Sequence, residues 1–229
     1  RIKFFCLLDE RKTLNTITAS AEFTFLLILL ALRKFKKVIK YDLIKWRKSE
    51  NQLRGNELYN KKIGIIGYGR IGKKINKFCL PFKASSIFYD PFIKKYDKKI
   101  IKKTNRIDFI FKQSDIVVIC PYLNESSRNL IDYSKLKLMK KNSILINTSR
   151  GEIIKENDLI KLISKRKDIF INLDVIYNEQ NILKNNKIIN LSKKNNNLFI
   201  TPHIAGLTFE SQNKAGVFAI NKITSYLKK

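Results

Sequence analysis

From Lys62 onward, short uninterrupted apolar runs alternate with amphipathic stretches. The runs are KIGII, SSIFY, DIVVIC, SILIN, IFINLDV and NLFIT, the last ending at Thr201. Runs without a polar alternate position belong to strands covered on both faces, and the intervening stretches are long enough for crossover helices. Helices are expected from about Arg70, near Ile107, near Leu136 and over Asp158 to Ser164. Strand, helix, strand in repetition predicts a parallel sheet, and six strands suit an α/β, Rossmann-type doubly wound fold.

The flanks are different. KFFCLL, Lys3 to Leu8, is short and aromatic enough for a buried strand. A long helix is then expected, capped by Thr18 or Ser20, with Glu22 in its first turn and apolar positions continuing through Leu32 to Trp46. RKSENQLRGNELYN ends it near Gly55. FTFLLILLAL, the most apolar stretch, is only ten residues between Glu22 and Arg33, shorter than the roughly 20 a spanning helix needs, and reads as a core helix. The Asn- and Lys-rich stretch 184–197 reads as a solvated loop. A last helix over Phe209–Leu227 offers Phe218, Ile220, Ile223 and Leu227 as apolar surface.

Charge changes this picture little. The net charge of +28 invites phosphate-rich partners, but the lysines are scattered along the chain among Ile and Asn and no nucleic-acid recognition motif accompanies them. No specific nucleic acid and no membrane is expected as a partner. Cys6, Cys79 and Cys120 form no CxxC pair, so neither a disulfide framework nor a metal site is indicated, and a cytoplasmic setting is expected.

Candidate chemistry begins directly after the first long run. Residues Gly67 to Gly72 spell GYGRIG between a strand and a helix. Gly67 permits the tight turn, Gly69 lets main-chain amides approach a pyrophosphate, and Gly72 lets helix and strand pack closely. The amides of Arg70 and Ile71, at the positive helix end, are candidate phosphate donors. Asp90 closes the next strand 18 residues beyond Gly72, close to the spacing of a ribose-binding acid, and selects NAD by repelling the additional phosphate of NADP. Lys94 and Lys95 soften that preference.

The single histidine, His203, stands in TPHIAG immediately after a strand. A lone histidine is more often a surface or core residue, and it cannot share a zinc site with others. Its context is distinctive, however. INTSRGE around Arg150, LDVIYNE ending at Glu179 and TPHIAGLT around His203 resemble the three signature blocks of the D-isomer-specific 2-hydroxyacid dehydrogenases, of phosphoglycerate dehydrogenase type. Order and spacing agree as well, Glu179 lying 29 residues after Arg150 and His203 24 after Glu179.

The resemblance implies an NAD-dependent oxidoreductase acting on a small 2-hydroxy or 2-oxo acid. In that scheme His203 is the proton donor, Glu179 orients it and stabilises its charged form, and Arg150 holds the substrate carboxylate. Asp174 would meet the nicotinamide carboxamide. Thr148, Ser149 and the turn Ile204, Ala205 and Gly206 would line the cofactor site. The helix around ASAEFTFLLILLALRK would contribute to a homodimer. Gln180 departs from the proline common after the glutamate.

Family members also begin with a flavodoxin-like substrate domain, of which only residues 1–15 are expected here as a remnant. Residues 16–206 would be the NAD-binding domain and 207–229 a helix returning to the substrate domain. An amino-terminally truncated member with weak or no turnover is therefore expected. The competing readings are a non-catalytic NADH-binding regulatory protein of the same fold, a 3-phosphoglycerate dehydrogenase specifically, and a basic nucleic-acid-binding protein.

Overall fold

The computed structural model describes residues 10–182 and 185–228. The expected strand over Lys3 to Leu8, and Cys6 with it, lies outside the described residues. In chain order the elements are α1 (Arg11–Thr16), α2 (Ala19–Leu32), α3 (Phe35–Val38), α4 (Glu50–Leu53), β1 (Lys62–Ile66), α5 (Arg70–Cys79), β2 (Ser85–Tyr89), β3 (Lys102–Thr104), α6 (Ile107–Gln113) and β4 (Ile116–Ile119). There follow α7 (Tyr133–Leu136), β5 (Ile144–Asn147), α8 (Glu156–Lys165), β6 (Phe170–Leu173), α9 (Lys187–Lys194), β7 (Leu198–Ile200) and α10 (Phe209–Leu227).

The strands form one parallel sheet in the order β3-β2-β1-β4-β5-β6-β7. Winding runs outward in both directions from β1 and β4, so a crevice opens between the carboxyl ends of these two strands. The apolar runs are continuous because each strand feeds two cores. Ile63, Ile65, Ile116, Val118, Ile144 and Ile146 meet α2 and α5 on one face, through Leu27, Ile28 and Ile75. Ile66, Val117, Ile119, Leu145 and Ile171 meet α6 to α9 on the other, through Phe111, Leu136, Leu162 and Ile188.

Four sequence expectations change. The long helix stops at Leu32 and does not reach Trp46: Lys34 turns into the left-handed region (φ 51), and the returning chain donates the Asn56 amide to the Leu32 carbonyl at 2.8 Å. Neither Thr18 nor any other side chain caps its start, although Glu22 does sit in the first turn. A seventh strand, β3, pairs with β2 at the sheet edge; its sequence KKT carries no apolar signal. The Asn- and Lys-rich stretch contains α9, capped by the Asn186 side chain accepting from the Ile189 amide at 3.1 Å and anchored by buried Ile188.

Residues Lys12–Leu32 are long and apolar enough to cross a membrane by length and composition alone. The chain is extended at Ile17, however, and α2 lays Leu27 and Ile28 fully buried on the sheet, the behaviour of a core helix.

Candidate active site

The glycine cradle lies at the crevice. Gly67 follows β1 with φ 85, and a Cβ there would stand 2.5 Å from the nitrogen of Pro121, which follows β4. Only glycine lets the two strand ends approach so closely. A Cβ on Gly72 would press on the Gly67 carbonyl oxygen at 2.5 Å, whereas one on Gly69 would meet nothing within 4 Å. Gly69 therefore faces open space that a side chain would fill. Helix α5 starts there without a side-chain cap, which leaves the first-turn amides of Arg70, Ile71 and Gly72 to an anion.

Asp90 is part of the same construction. One carboxylate oxygen accepts from the Tyr68 amide inside the cradle and the other from the Phe92 amide, both at 2.9 Å. The acid is thus fixed beside the cradle, with lone pairs left for ribose hydroxyls. These residues fit a dinucleotide. The Arg70 guanidinium turns the other way and donates to the Ile17 carbonyl at 2.6 Å; its burial lowers its pKa from the ordinary value. Cys120, beside the cradle, stays a neutral thiol because burial pushes its pKa up to about 12.

The other candidates follow β5, β6 and β7, three neighbours in the sheet, at the same carboxyl edge. His203 and Glu179 are brought into contact, Nδ1 of the imidazole bonding Oε1 of the carboxylate. Each stands where the backbone is unusual: His203 has φ 54, and Asn178, just before Glu179, has φ 51. Left-handed conformations at residues other than glycine persist only where their surroundings enforce them.

For His203 the enforcement comes from Asp174, which is 1% exposed. Its main-chain carbonyl accepts from the His203 amide at 2.8 Å. Its carboxylate accepts from the Thr201 hydroxyl at 2.6 Å, the Ile204 amide at 3.0 Å and the Ala205 amide at 2.8 Å. The structure thus gives Asp174 a role in holding the histidine loop that its sequence context did not announce.

Arg150 lies exposed after β5, its guanidinium donating to the Ser149 carbonyl at 2.6 Å. Its loop is tied to both neighbours: the Ser149 hydroxyl donates to the Pro121 carbonyl, and the Thr148 hydroxyl meets that of fully buried Thr24 in α2 at 2.7 Å. Gly206 is exposed and Ala205 buried in the turn leading to α10. Sequence reasoning missed Thr24, Asn147 and Thr201. Only their places beside recognised blocks could have signalled them, because their partners lie far along the chain or are main-chain groups.

Comparison with known proteins agrees with the fold and with a dinucleotide-binding domain. The chain is 33% identical to the hydroxypyruvate reductase of Thermotoga maritima over 93% of its own length and 69% of that protein. It is 31% identical to the D-3-phosphoglycerate dehydrogenase of Methanocaldococcus jannaschii over 91% of its length, spanning only 39% of that relative. The D-lactate dehydrogenase of Aquifex aeolicus, crystallised with NAD and lactic acid, superposes with a TM-score of 0.82 at 25% identity, covering 93% of this chain and 67% of that one. Residues 25–205 match the model for the NAD binding domain of D-isomer specific 2-hydroxyacid dehydrogenases, and the chain belongs to that family.

Proposed function

We propose that this chain carries the cofactor half and the acid–base centre of an oxidoreductase that interconverts a small D-2-hydroxy acid and its 2-oxo acid. The observation that carries the reading is the contact between His203 Nδ1 and Glu179 Oε1 at the same edge of the sheet as the glycine cradle. Bound NADH supplies the hydride.

With Nδ1 engaged by Glu179, the imidazole presents Nε2 to the substrate. From there it donates the proton that the carbonyl oxygen needs as the carbon is reduced, and it takes that proton back in the oxidation direction. The Glu179 carboxylate fixes the ring orientation through its contact with Nδ1. Arg150, a forked donor of permanent charge, holds the substrate carboxylate so that the carbonyl meets the nicotinamide face in one orientation. Asp174 keeps acceptor capacity beyond its three structural bonds, which supports a contact with the nicotinamide carboxamide. The names of the relatives favour a short 2-oxo acid such as glyoxylate or hydroxypyruvate, or a phosphorylated C3 acid. In this reading residues 16–206 are the cofactor domain, residues 1–15 belong to a substrate domain, and α10 returns to it.

The test is transfer of deuterium from labelled NADH to glyoxylate or hydroxypyruvate, read by mass spectrometry so that slow turnover counts. The native chain should transfer label. His203→Ala should lose transfer while binding NADH within about twofold of the native affinity. Equal transfer by both chains would overturn the assignment.

A homodimer is proposed on a separate observation. Leu43, Ile44 and Trp46 are 69%, 91% and 70% exposed on the segment following α3, beside an apolar groove lined by Leu29, Leu53 and Phe82. Sedimentation should give a dimer that Ile44→Glu dissociates; a native monomer would refute it.

A further inference from the structure

Asn147 ends β5, is 1% exposed, and has no role in the chemistry described above. Its carboxamide is used at both ends within four residues. Nδ2 donates to the Arg150 carbonyl at 2.9 Å, and Oδ1 accepts from the Ser149 amide at 3.0 Å. Its own main-chain carbonyl accepts from the Asp174 amide at 2.9 Å, which joins this strand end to the one that holds the histidine loop.

On the far side of Arg150 the chain is fixed again. A Cβ on Gly151 would lie 2.0 Å from the carbonyl carbon of Ile176 and 2.4 Å from the nitrogen of Tyr177, so this glycine rests directly on the backbone leading to Glu179. Arg150 itself is extended (φ −146, ψ 142) and exposed between these two fixed points.

We propose that Asn147 is a positioning residue for Arg150, closing the loop 148–150 so that the guanidinium is presented beside the Glu179–His203 pair. The proposal rests on the reading of Arg150 as the anchor of the substrate carboxylate. Only an amide places a donor and an acceptor on one planar group at this reach. Aspartate would set a carboxylate oxygen against the Arg150 carbonyl, and alanine would strip the Ser149 amide of its partner and leave the Arg150 carbonyl with the long bond from the Ile153 amide at 3.4 Å. A buried asparagine that merely ended a strand would change stability alone. One that acts through Arg150 must lose its effect when Arg150 is gone.

The experiment is a double-mutant cycle on the NADH-bound chain, titrated with oxamate, a non-reducible isostere of a 2-oxo acid, and read by nicotinamide fluorescence. Asn147→Asp should weaken oxamate about tenfold and NADH less than about threefold, and should add nothing in an Arg150→Ala background. Unchanged oxamate affinity in Asn147→Asp, or the full loss persisting in the Arg150→Ala background, would overturn the proposal. If Arg150→Ala itself leaves oxamate binding as it was, or the native chain binds none, the anchor reading of Arg150 fails first, and amide hydrogen exchange decides the positioning claim. Faster exchange across 148–151 in Asn147→Asp, with β4 and β6 unchanged, then supports it; unchanged exchange there refutes it.

Discussion

The two halves of the sheet solve the same problem by different means. On the β1–β2 side the site is made of backbone: three glycines, an uncapped helix start, and one acid that reaches back to the cradle amide of Tyr68. On the β5–β7 side it is made of polar side chains, buried Asn147 and Asp174 and half-buried Thr201, which hold loops whose backbone would not otherwise stay in place. The first half is governed by close approach and fails when atoms are added. The second is governed by hydrogen bonds in a low-dielectric setting and fails when a partner is removed.

The largest effect expected from this contrast is at Gly67. Gly67→Ala adds a Cβ at positive φ against Pro121, and NADH affinity should fall by about 100-fold or more, measured by fluorescence titration. A variant that binds NADH normally would break the comparison on the cradle side. Next comes Asp174→Ala, which leaves the Thr201 hydroxyl and the Ile204 and Ala205 amides without their acceptor. Leaving these buried and half-buried donors unpaired should cost about 3 kcal/mol of stability in denaturant unfolding, and Asp174→Asn distinctly less. Equal costs for the two variants would mean that packing, not hydrogen bonding, sets the histidine loop. A smaller loss is expected for Thr24→Val, which removes the link to Thr148 together with the hydroxyl's bond to the Ser20 carbonyl within the helix: about 1 kcal/mol, with NADH affinity lowered a few-fold.

The smallest effect belongs to neither half. Asp168 lies opposite the site, before β6, and the Arg166 guanidinium beside it, donating at 2.8 and 2.9 Å, holds its carboxyl at about 2. A depressed carboxylate pKa contributes stability that is complete above the unfolded value near 3.8 and is lost as pH falls toward 2. Asp168→Asn should therefore flatten the acid limb of the stability curve between about pH 4 and 2 and leave NADH binding at neutral pH unaltered. A steeper acid limb in the variant would contradict that account.

The contrast also explains what the sequence disclosed. Strands buried on both faces write themselves as apolar runs, and GYGRIG is local, so the centre of the sheet and the cradle were legible. The spacing of Arg150, Glu179 and His203 was legible through resemblance, and the fold brings the last two into contact. Edge strand β3 was not, because a strand paired on one side needs no apolar run. Helix α9 was hidden because its solvent face is Lys and Asn and only a narrow stripe around Ile188 is apolar. The stop at Leu32 depends on Asn56, a partner 24 residues away, and the tie between Thr24 and Thr148 spans 124 residues. Neither can be read from a local pattern.

Whether the glycine cradle and Asp90 make this chain an NAD-binding domain is decided by fluorescence titration with NADH and, separately, NADPH. NADH should bind saturably and more tightly than NADPH, and Gly67→Ala should abolish that binding. A folded native chain that binds neither nucleotide, or one whose NADH affinity survives Gly67→Ala, would contradict that role for the cradle.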